Sequence, residues 1–133
     1  MHVNAAILCD FASVREGLLN VVGGGITRLW RPQLPAPMNL SVALMLELHY
    51  LELGKDHELA VVVVSEDGEQ VIEVKGAFNP NGDLDVGENL LVPMALDLRA
   101  ANLATYGSYN VEVSVDGTHH RTLPFQVRPP TGG

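Results

Sequence analysis

The sequence predicts an all-β protein, built as an antiparallel two-sheet sandwich of about eight strands. Apolar and polar residues alternate with a period of two through most of the chain, as they do in strands with one buried face. Turn signals rich in Gly, Asn and Asp separate these segments, which is typical of antiparallel connections. No long amphipathic segment lies between them to supply the crossover helices of a parallel sheet.

A turn at residues 15–17 joins the first two predicted strands. Three consecutive glycines at 23–25 interrupt the second strand, which indicates a bulge or a bend. A proline-rich extended segment follows. Alternation in the first strand places five residues on one apolar face: Val3, Ala5, Ile7, Cys9 and Phe11.

The segment Leu40–Leu48 is apolar at every second position and largely apolar between them, which predicts a strand covered on both faces. Residues 57–78 form the clearest hairpin, with four consecutive valines and the turn sequence EDGE. Pro93 places the next strand at an edge or a bulge. Residues 99–107 predict a short helical crossing, and the last hairpin turns at Asp116–Gly117.

The 133 residues predict a single domain, spanning 1–128, with 129–133 as a frayed tail. No apolar run is long enough to span a bilayer, and the N-terminus does not resemble a secretion signal. One cysteine, Cys9, excludes an intramolecular disulfide and a cysteine-rich zinc site. A lone thiol fits a reducing compartment, so we predict a cytoplasmic protein.

The net charge of −8 is concentrated in the middle of the chain. Between Glu52 and Glu88 there are ten acidic residues and two lysines, which carry all of it. Such a region repels nucleic-acid phosphates and anionic lipids, so we predict neither a nucleic-acid nor a membrane partner. A basic partner or a cation would suit the region, and so would a face that is simply solvated.

One corner of the chain carries a recognisable pattern, Leu103-x-x-x-Gly107-x-Tyr109-x-Val111. It resembles the corner that enters the penultimate strand of immunoglobulin-like domains. The resemblance implies an immunoglobulin-like sandwich in which Tyr109 hydrogen-bonds back across the corner; Tyr106 is the alternative tyrosine. Val111 stands where antibody domains have a cysteine, which implies a sandwich without that disulfide.

The N-terminal region has a second resemblance. Leu8-Cys9-Asp10, the stretch 17–20 and the glycines 23–25 are similar to the opening of a family of small uncharacterised bacterial β-sandwich proteins. This resemblance implies a fold and a bacterial origin, and it carries over no site.

A polar loop is the best candidate for metal binding. It offers five oxygen donors in ten residues, and Ca²⁺ prefers six to eight oxygen ligands from a flexible loop. The donors do not follow the EF-hand order, and an ordinary interstrand loop has the same composition. The candidate ligands are Asn79, Asn81, Asp83, Asp85 and Glu88.

Other chemistry-bearing residues give weaker patterns. His119 and His120 are adjacent, so a strand would direct them to opposite faces. Cys9 falls among apolar neighbours, where a thiol is inert. The 23–25 glycines lack the Lys and spacing of a phosphate loop. We therefore predict no cofactor and no catalytic residue, and hence no enzyme.

Trp30 and Arg31 form the best candidate for an interaction site. Trp30, the only tryptophan, is followed by Arg31 and the proline-rich segment, and both residue types are enriched in interface hot spots. A tryptophan that closes one edge of the core is the alternative. We predict a non-enzymatic binding or assembly module that binds a protein partner or associates with itself, with a calcium-stabilised module as the alternative.

Overall fold

The protein is all-β, as the sequence predicts. A computed structural model describes residues 1–82, 84–85 and 87–130. A single 3-10 turn spans Tyr50–Glu52 within this part of the chain. The strands are β1 (His2–Arg15), β2 (Leu18–Gly24), β3 (Arg28–Trp30), β4 (Ala36–Pro37), β5 (Ser41–His49), β6 (His57–Ser65), β7 (Gln70–Phe78), β8 (Asn89–Asp97), β9 (Asn102–Leu103), β10 (Gly107–Val115) and β11 (Thr118–Arg128).

The strands form three sheets rather than two. A four-stranded sheet has the order β2-β1-β5-β8, a five-stranded sheet the order β3-β11-β10-β6-β7, and β4 pairs with β9. The described residues form eleven strands instead of eight, because β3, β4 and β9 have only two or three residues, too few to show a period. The sheets are not purely antiparallel, because β3 pairs with β11 in parallel.

The helical crossing predicted at residues 99–107 is wrong. Its centre, Asn102–Leu103, is strand β9, which pairs with Ala36–Pro37 of β4. Both pairing segments are short, and their ladder depends on a partner more than sixty residues away. The local sequence therefore gave no strand signal there.

The core lies where alternating residues of the two larger sheets meet. Each of the central strands β5, β6 and β10 buries every second residue, as the sequence predicts. In the run of four valines, the first and third are fully buried and the others only partly. The buried sets are Val42, Leu44, Leu46 and Leu48 on β5, Leu59, Val61 and Val63 on β6, and Val111, Val113 and Val115 on β10.

The predicted buried face of β1 is correct only in part. The register between β1 and β5 shifts between Val3 and Ala5, and a bulge of this kind turns the alternation over to the other face. Val3 and Cys9 are buried as predicted, whereas Leu8, predicted on the other face, is also buried and Phe11 is 46% exposed.

The far half of β1 and all of β2 form a two-stranded arm, residues 10–24, which we call the β1–β2 arm. β1 pairs with β5 up to Cys9 and with β2 from Cys9 onward. Glu16 and Gly17 both have positive φ, which is typical of a two-residue type I′ hairpin turn. At the base of the arm Gly23 has φ of 62° and lies against Asp10, leaving no room for a Cβ.

The corner before β10 has the geometry that the immunoglobulin-like resemblance implies. Leu103 is fully buried. The Tyr109 hydroxyl donates to the carbonyl oxygen of Thr105 at 2.7 Å, and its ring stacks on Phe125 with 5.3 Å between centroids. Gly107 has φ of 138°, a conformation that side-chain-bearing residues rarely adopt.

We expect Gly107→Ala to destabilise the protein by about 1–3 kcal/mol, because the positive φ strains any residue with a Cβ. The new Cβ would also overlap the Glu66 carboxylate. Thermal unfolding should show Tm falling by roughly 5–10 °C. Gly76→Ala, in β7, is the matched control because a Cβ there meets nothing within 4 Å. Equal Tm values for the two variants would contradict this account of the corner.

Candidate interaction surface

Trp30 lies at the outer edge of the five-stranded sheet. It ends β3, whose parallel pairing sets Trp30 beside Arg128 of β11. The Trp30 side chain is 51% exposed, whereas its neighbour Leu29 is buried in the core. The alternative interpretation, in which Trp30 closes the core, therefore accounts for only part of its surface.

The Arg31 side chain is engaged with the backbone around Trp30. Its guanidinium donates to the carbonyl oxygens of Trp30 at 3.0 Å and Met38 at 2.9 Å. Its own N–H donates to the carbonyl oxygen of Arg128 at 3.0 Å. Arg31 thus holds the chain on either side of Trp30, and only part of the guanidinium is available to a partner.

Tyr106 joins the same surface, which sequence reasoning missed. Its hydroxyl donates to the Arg31 carbonyl oxygen at 2.8 Å, and its side chain is 39% exposed. The two residues are 75 positions apart in the chain, so no local pattern connects them. Trp30, Arg31 and Tyr106, which we call the Trp30 surface, combine the three residue types most enriched in hot spots.

Charge is distributed asymmetrically across the five-stranded sheet. Arg28 and Arg128 are exposed beside Trp30. The acidic region 52–88 instead contains β6 and β7, at the opposite end of the strand order. The Trp30 surface therefore lies in a basic setting within an acidic protein.

The structure leaves the predicted calcium loop untested. Asp83 lies outside the described residues. The Asn79 amide donates to Asp56 at 3.0 Å, and the Glu88 N–H donates to the Asp85 carbonyl oxygen at 3.0 Å. Among the residues that the structure describes, no three His, Cys, Asp or Glu side chains gather as a metal site would require.

Cys9 is fully buried, and its thiol donates to the Ser41 carbonyl oxygen at 3.4 Å. Burial, together with the nearby Asp10 carboxylate, raises the pKa of the Cys9 thiol. The group is therefore a protonated thiol at neutral pH, the unreactive form.

His119, the first of the two adjacent histidines, lies against an acidic side chain and a hydroxyl group. His119 Nε2 lies 2.6 Å from Glu112 Oε2 and 3.0 Å from Thr122 Oγ1 on the exposed face of the β10–β11 ladder. A cleft of about 290 Å³ is lined by residues of β10 and β11, and its only charged lining residue is Arg28. An acid–base pair is thus missing from that lining.

His57 forms a buried polar site that the sequence did not reveal. Its side chain is only 8% exposed. Nδ1 lies 2.7 Å from Asp116 Oδ2 and Nε2 lies 2.7 Å from the Glu52 carbonyl oxygen. Because both partners are acceptors, both ring nitrogens must donate, and only the charged imidazolium has two N–H groups. Although burial acts to lower the pKa of His57, these hydrogen bonds raise it, and below that pKa His57 is a buried cation paired with Asp116.

Comparison with known proteins identifies the family of the chain. A family model covers residues 4–128, nearly the whole chain. The chain belongs to DUF6941, a family of unknown function. The predicted membership of an uncharacterised family is thereby confirmed, whereas the bacterial origin stays a prediction. No curated protein matches the chain. None of the described helical residues forms a helix long and apolar enough to cross a membrane.

Proposed function

We propose that this protein is a non-enzymatic binding or assembly module that uses the Trp30 surface to recognise a protein partner. The observation that carries the proposal is the half-exposed Trp30 side chain, set beside Arg31 and Tyr106 on one edge of the sheet. Tryptophan is among the residue types most enriched in interface hot spots, and hot spots cluster near the centre of an interface.

Preorganisation of Trp30 supports the proposal. Parallel pairing with β11 holds the backbone before Arg31, and the Arg31 guanidinium bonds hold the backbone after it. Little backbone entropy would then be lost when a partner covers the ring, and binding energy is preserved when a site is already ordered.

The charges around Trp30 define the chemistry of the partner. Arg28 and Arg128 flank the tryptophan, so an acidic protein surface with an apolar pocket for the indole would be complementary. The acidic region 52–88, which contains β6 and β7 at the far end of the sheet, would repel the same partner. The charge distribution therefore favours binding of an acidic partner at the Trp30 edge over binding at the opposite edge.

An immunoglobulin-like fold and a cytoplasmic location belong to the same proposal. The Tyr109–Thr105 hydrogen bond supports the fold, because it reproduces the tyrosine corner of that class. The buried free thiol of Cys9 supports a reducing compartment, where single cysteines persist without oxidation.

Trp30→Ala is expected to weaken partner binding at least 30-fold, about 2 kcal/mol, the threshold of a hot spot. The measurement is a titration of the tagged protein against the partner isolated by affinity capture, with Tm as the check on folding. Leu91→Ala is the matched control, because Leu91 is equally exposed at 54% but lies on β8 in the other sheet. If both variants lose the same affinity, or neither loses any, the Trp30 surface is not the binding site.

A further inference from the structure

The β1–β2 arm concentrates exposed apolar side chains. Of the ten exposed large hydrophobic residues in the described chain, half lie in this arm of fifteen residues. The strand pairing places three of them on one face of the arm and two on the other, and exposed apolar side chains gathered in this way mark interaction sites. The five are Phe11, Val14, Leu18, Val21 and Val22, and Leu18 is the most exposed at 67%.

The outer edge of β2 is open along its whole length. Its only bonded neighbour among the described strands is β1. The strand sequence LLNVVGG contains no charge and no proline, so it lacks the features by which edge strands avoid pairing.

The other sheet edges carry those features. β8 contains Pro93, and β7 carries Glu73 and Lys75. β3 has three residues and is followed within two positions by Pro32. β2 is thus the one long edge in the described sheets that lacks both charge and proline.

We propose that β2 pairs antiparallel with β2 of a second copy of this chain, forming a continuous sheet across a two-fold axis. This inference deepens the assembly role in the proposed function and uses a surface separate from Trp30. A second copy is the partner that best matches β2, because β2 has two apolar residues on each side of Asn20 and therefore fits its own reversed sequence.

The alternation of hydrogen-bonded and non-bonded pairs in the hairpin selects the register. Arg15 and Leu18 flank the two-residue turn and form a bonded pair, and such pairs recur at every second residue of an antiparallel ladder. Leu18, Asn20 and Val22 therefore bond to β1. Leu19 and Val21 direct their N–H and C=O groups to the open edge, so Leu19 of one copy can exchange both bonds with Val21 of the other.

A register centred on Asn20 satisfies this alternation and places similar side chains of the two copies opposite one another. It sets Asn20 opposite the Asn20 of the other copy, where the two amides can hydrogen-bond. On the same face Leu18 meets Val22, the two most exposed apolar residues of the arm. On the opposite face Leu19 meets Val21. Every apolar residue of the strand then gains an apolar cross-strand neighbour.

The charge distribution permits this association. The arm holds only Asp10, Arg15 and Glu16 as charged residues, whereas the full net charge of the chain lies in region 52–88. That region contains the β7 edge of the other sheet. Pairing through β2 keeps the two acidic regions away from the interface.

Sedimentation of the full chain at about 1–500 µM tests the proposal. We expect the mass to double with a dissociation constant in the micromolar range, because pairing of one short edge strand gives an interface at the small end of specific interfaces. A chain that stays monomeric throughout would overturn the second copy as the occupant. So would capture of a foreign protein by β2 in a monomeric chain. Neither result tests the Trp30 surface, because the Trp30→Ala variant tests the proposed function separately.

Charge exchange at Asn20 tests the register. Asn20→Asp and Asn20→Lys should each weaken dimerisation at least tenfold, because like charges then lie directly opposite one another. Mixing the two variants should restore the dimer. Asn110→Asp, which adds the same charge to an exposed position on β10, is the control and should leave the affinity within twofold. Failure of the mixture to associate would overturn the Asn20 register.

Oxidative crosslinking gives an independent measure of the same register. Asn20→Cys should form a disulfide dimer, because opposite residues in a non-bonded antiparallel pair lie within disulfide distance. Leu18→Cys, although more exposed, should not, since its counterpart in the other copy lies four residues along the strand. Native Cys9 is fully buried and does not compete. Equal crosslinking of both variants would contradict the proposed pairing.

Discussion

Phe125→Ala is expected to lower the free energy of unfolding by about 3–5 kcal/mol, the cost of removing a fully buried aromatic ring from a packed core. Phe125 is 1% exposed and stacks on Tyr109, whose hydroxyl closes the corner before β10. The substitution therefore leaves a cavity and also removes the support of the corner. Urea denaturation followed by far-UV circular dichroism measures the change.

Phe11→Ala is the control, because the same change is made at a phenylalanine that is 46% exposed. We expect it to cost less than about 1.5 kcal/mol, since partial burial contributes only a share of the transfer free energy. The measurement should be made at a low micromolar protein concentration, where association through the β1–β2 arm contributes little to the free energy of unfolding. If the two variants lost similar free energies of unfolding, Phe125 would contribute no more to the core than an exposed phenylalanine.

Asp116→Asn is expected to cost about 1–3 kcal/mol near pH 6, where His57 and Asp116 are both charged. The substitution removes the counter-ion of a buried imidazolium held at 2.7 Å. Asp116 Oδ1 also accepts the Glu58 N–H at 2.8 Å, which ties the last hairpin to β6. Because Asp116 is about half exposed, solvent screens the pair and the loss stays below that of a fully buried ion pair.

The pH dependence of stability should identify the pair. Burial acts to lower the pKa of His57, but the hydrogen bonds to the Glu52 carbonyl and Asp116 outweigh it, so the pKa is raised. Protonation of His57 therefore stabilises the fold fully below about pH 6.5, its unfolded value, and this stabilisation is lost as pH rises through the folded pKa. The hydrogen bond from His57 lowers the pKa of Asp116, so its contribution is present above about pH 4 and is lost on acidification through its folded pKa.

Urea unfolding between pH 5 and 9 should show the wild-type protein losing stability above pH 6.5, with a smaller slope in Asp116→Asn. Glu112→Gln is the matched control, because it removes a carboxylate from the exposed His119 pair, where less than about 1 kcal/mol is expected. An unchanged slope in Asp116→Asn would rule out the His57–Asp116 pair as its source.

Part of the proposed interaction surface follows from the sequence, and part does not. Composition and position identified Trp30 and Arg31, because one tryptophan beside an arginine and a proline-rich segment is a local pattern. Tyr106 was missed since its contact with Arg31 spans 75 residues. The sequence also predicted Arg31 as an interaction residue, whereas its guanidinium donates to two backbone carbonyl oxygens.

The sequence by itself determined the all-β class, the buried faces of β5, β6 and β10, and the corner at Tyr109. These features depend on alternation and turn chemistry, which act between neighbouring residues. Only the tertiary structure decided the bulge that turns over the faces of β1, the parallel pairing of β3 with β11, and the burial of His57 against Asp116, 59 residues away. Each of these depends on which strands lie side by side, and the free energy that selects a neighbour comes from burying whole faces together rather than from any local pattern.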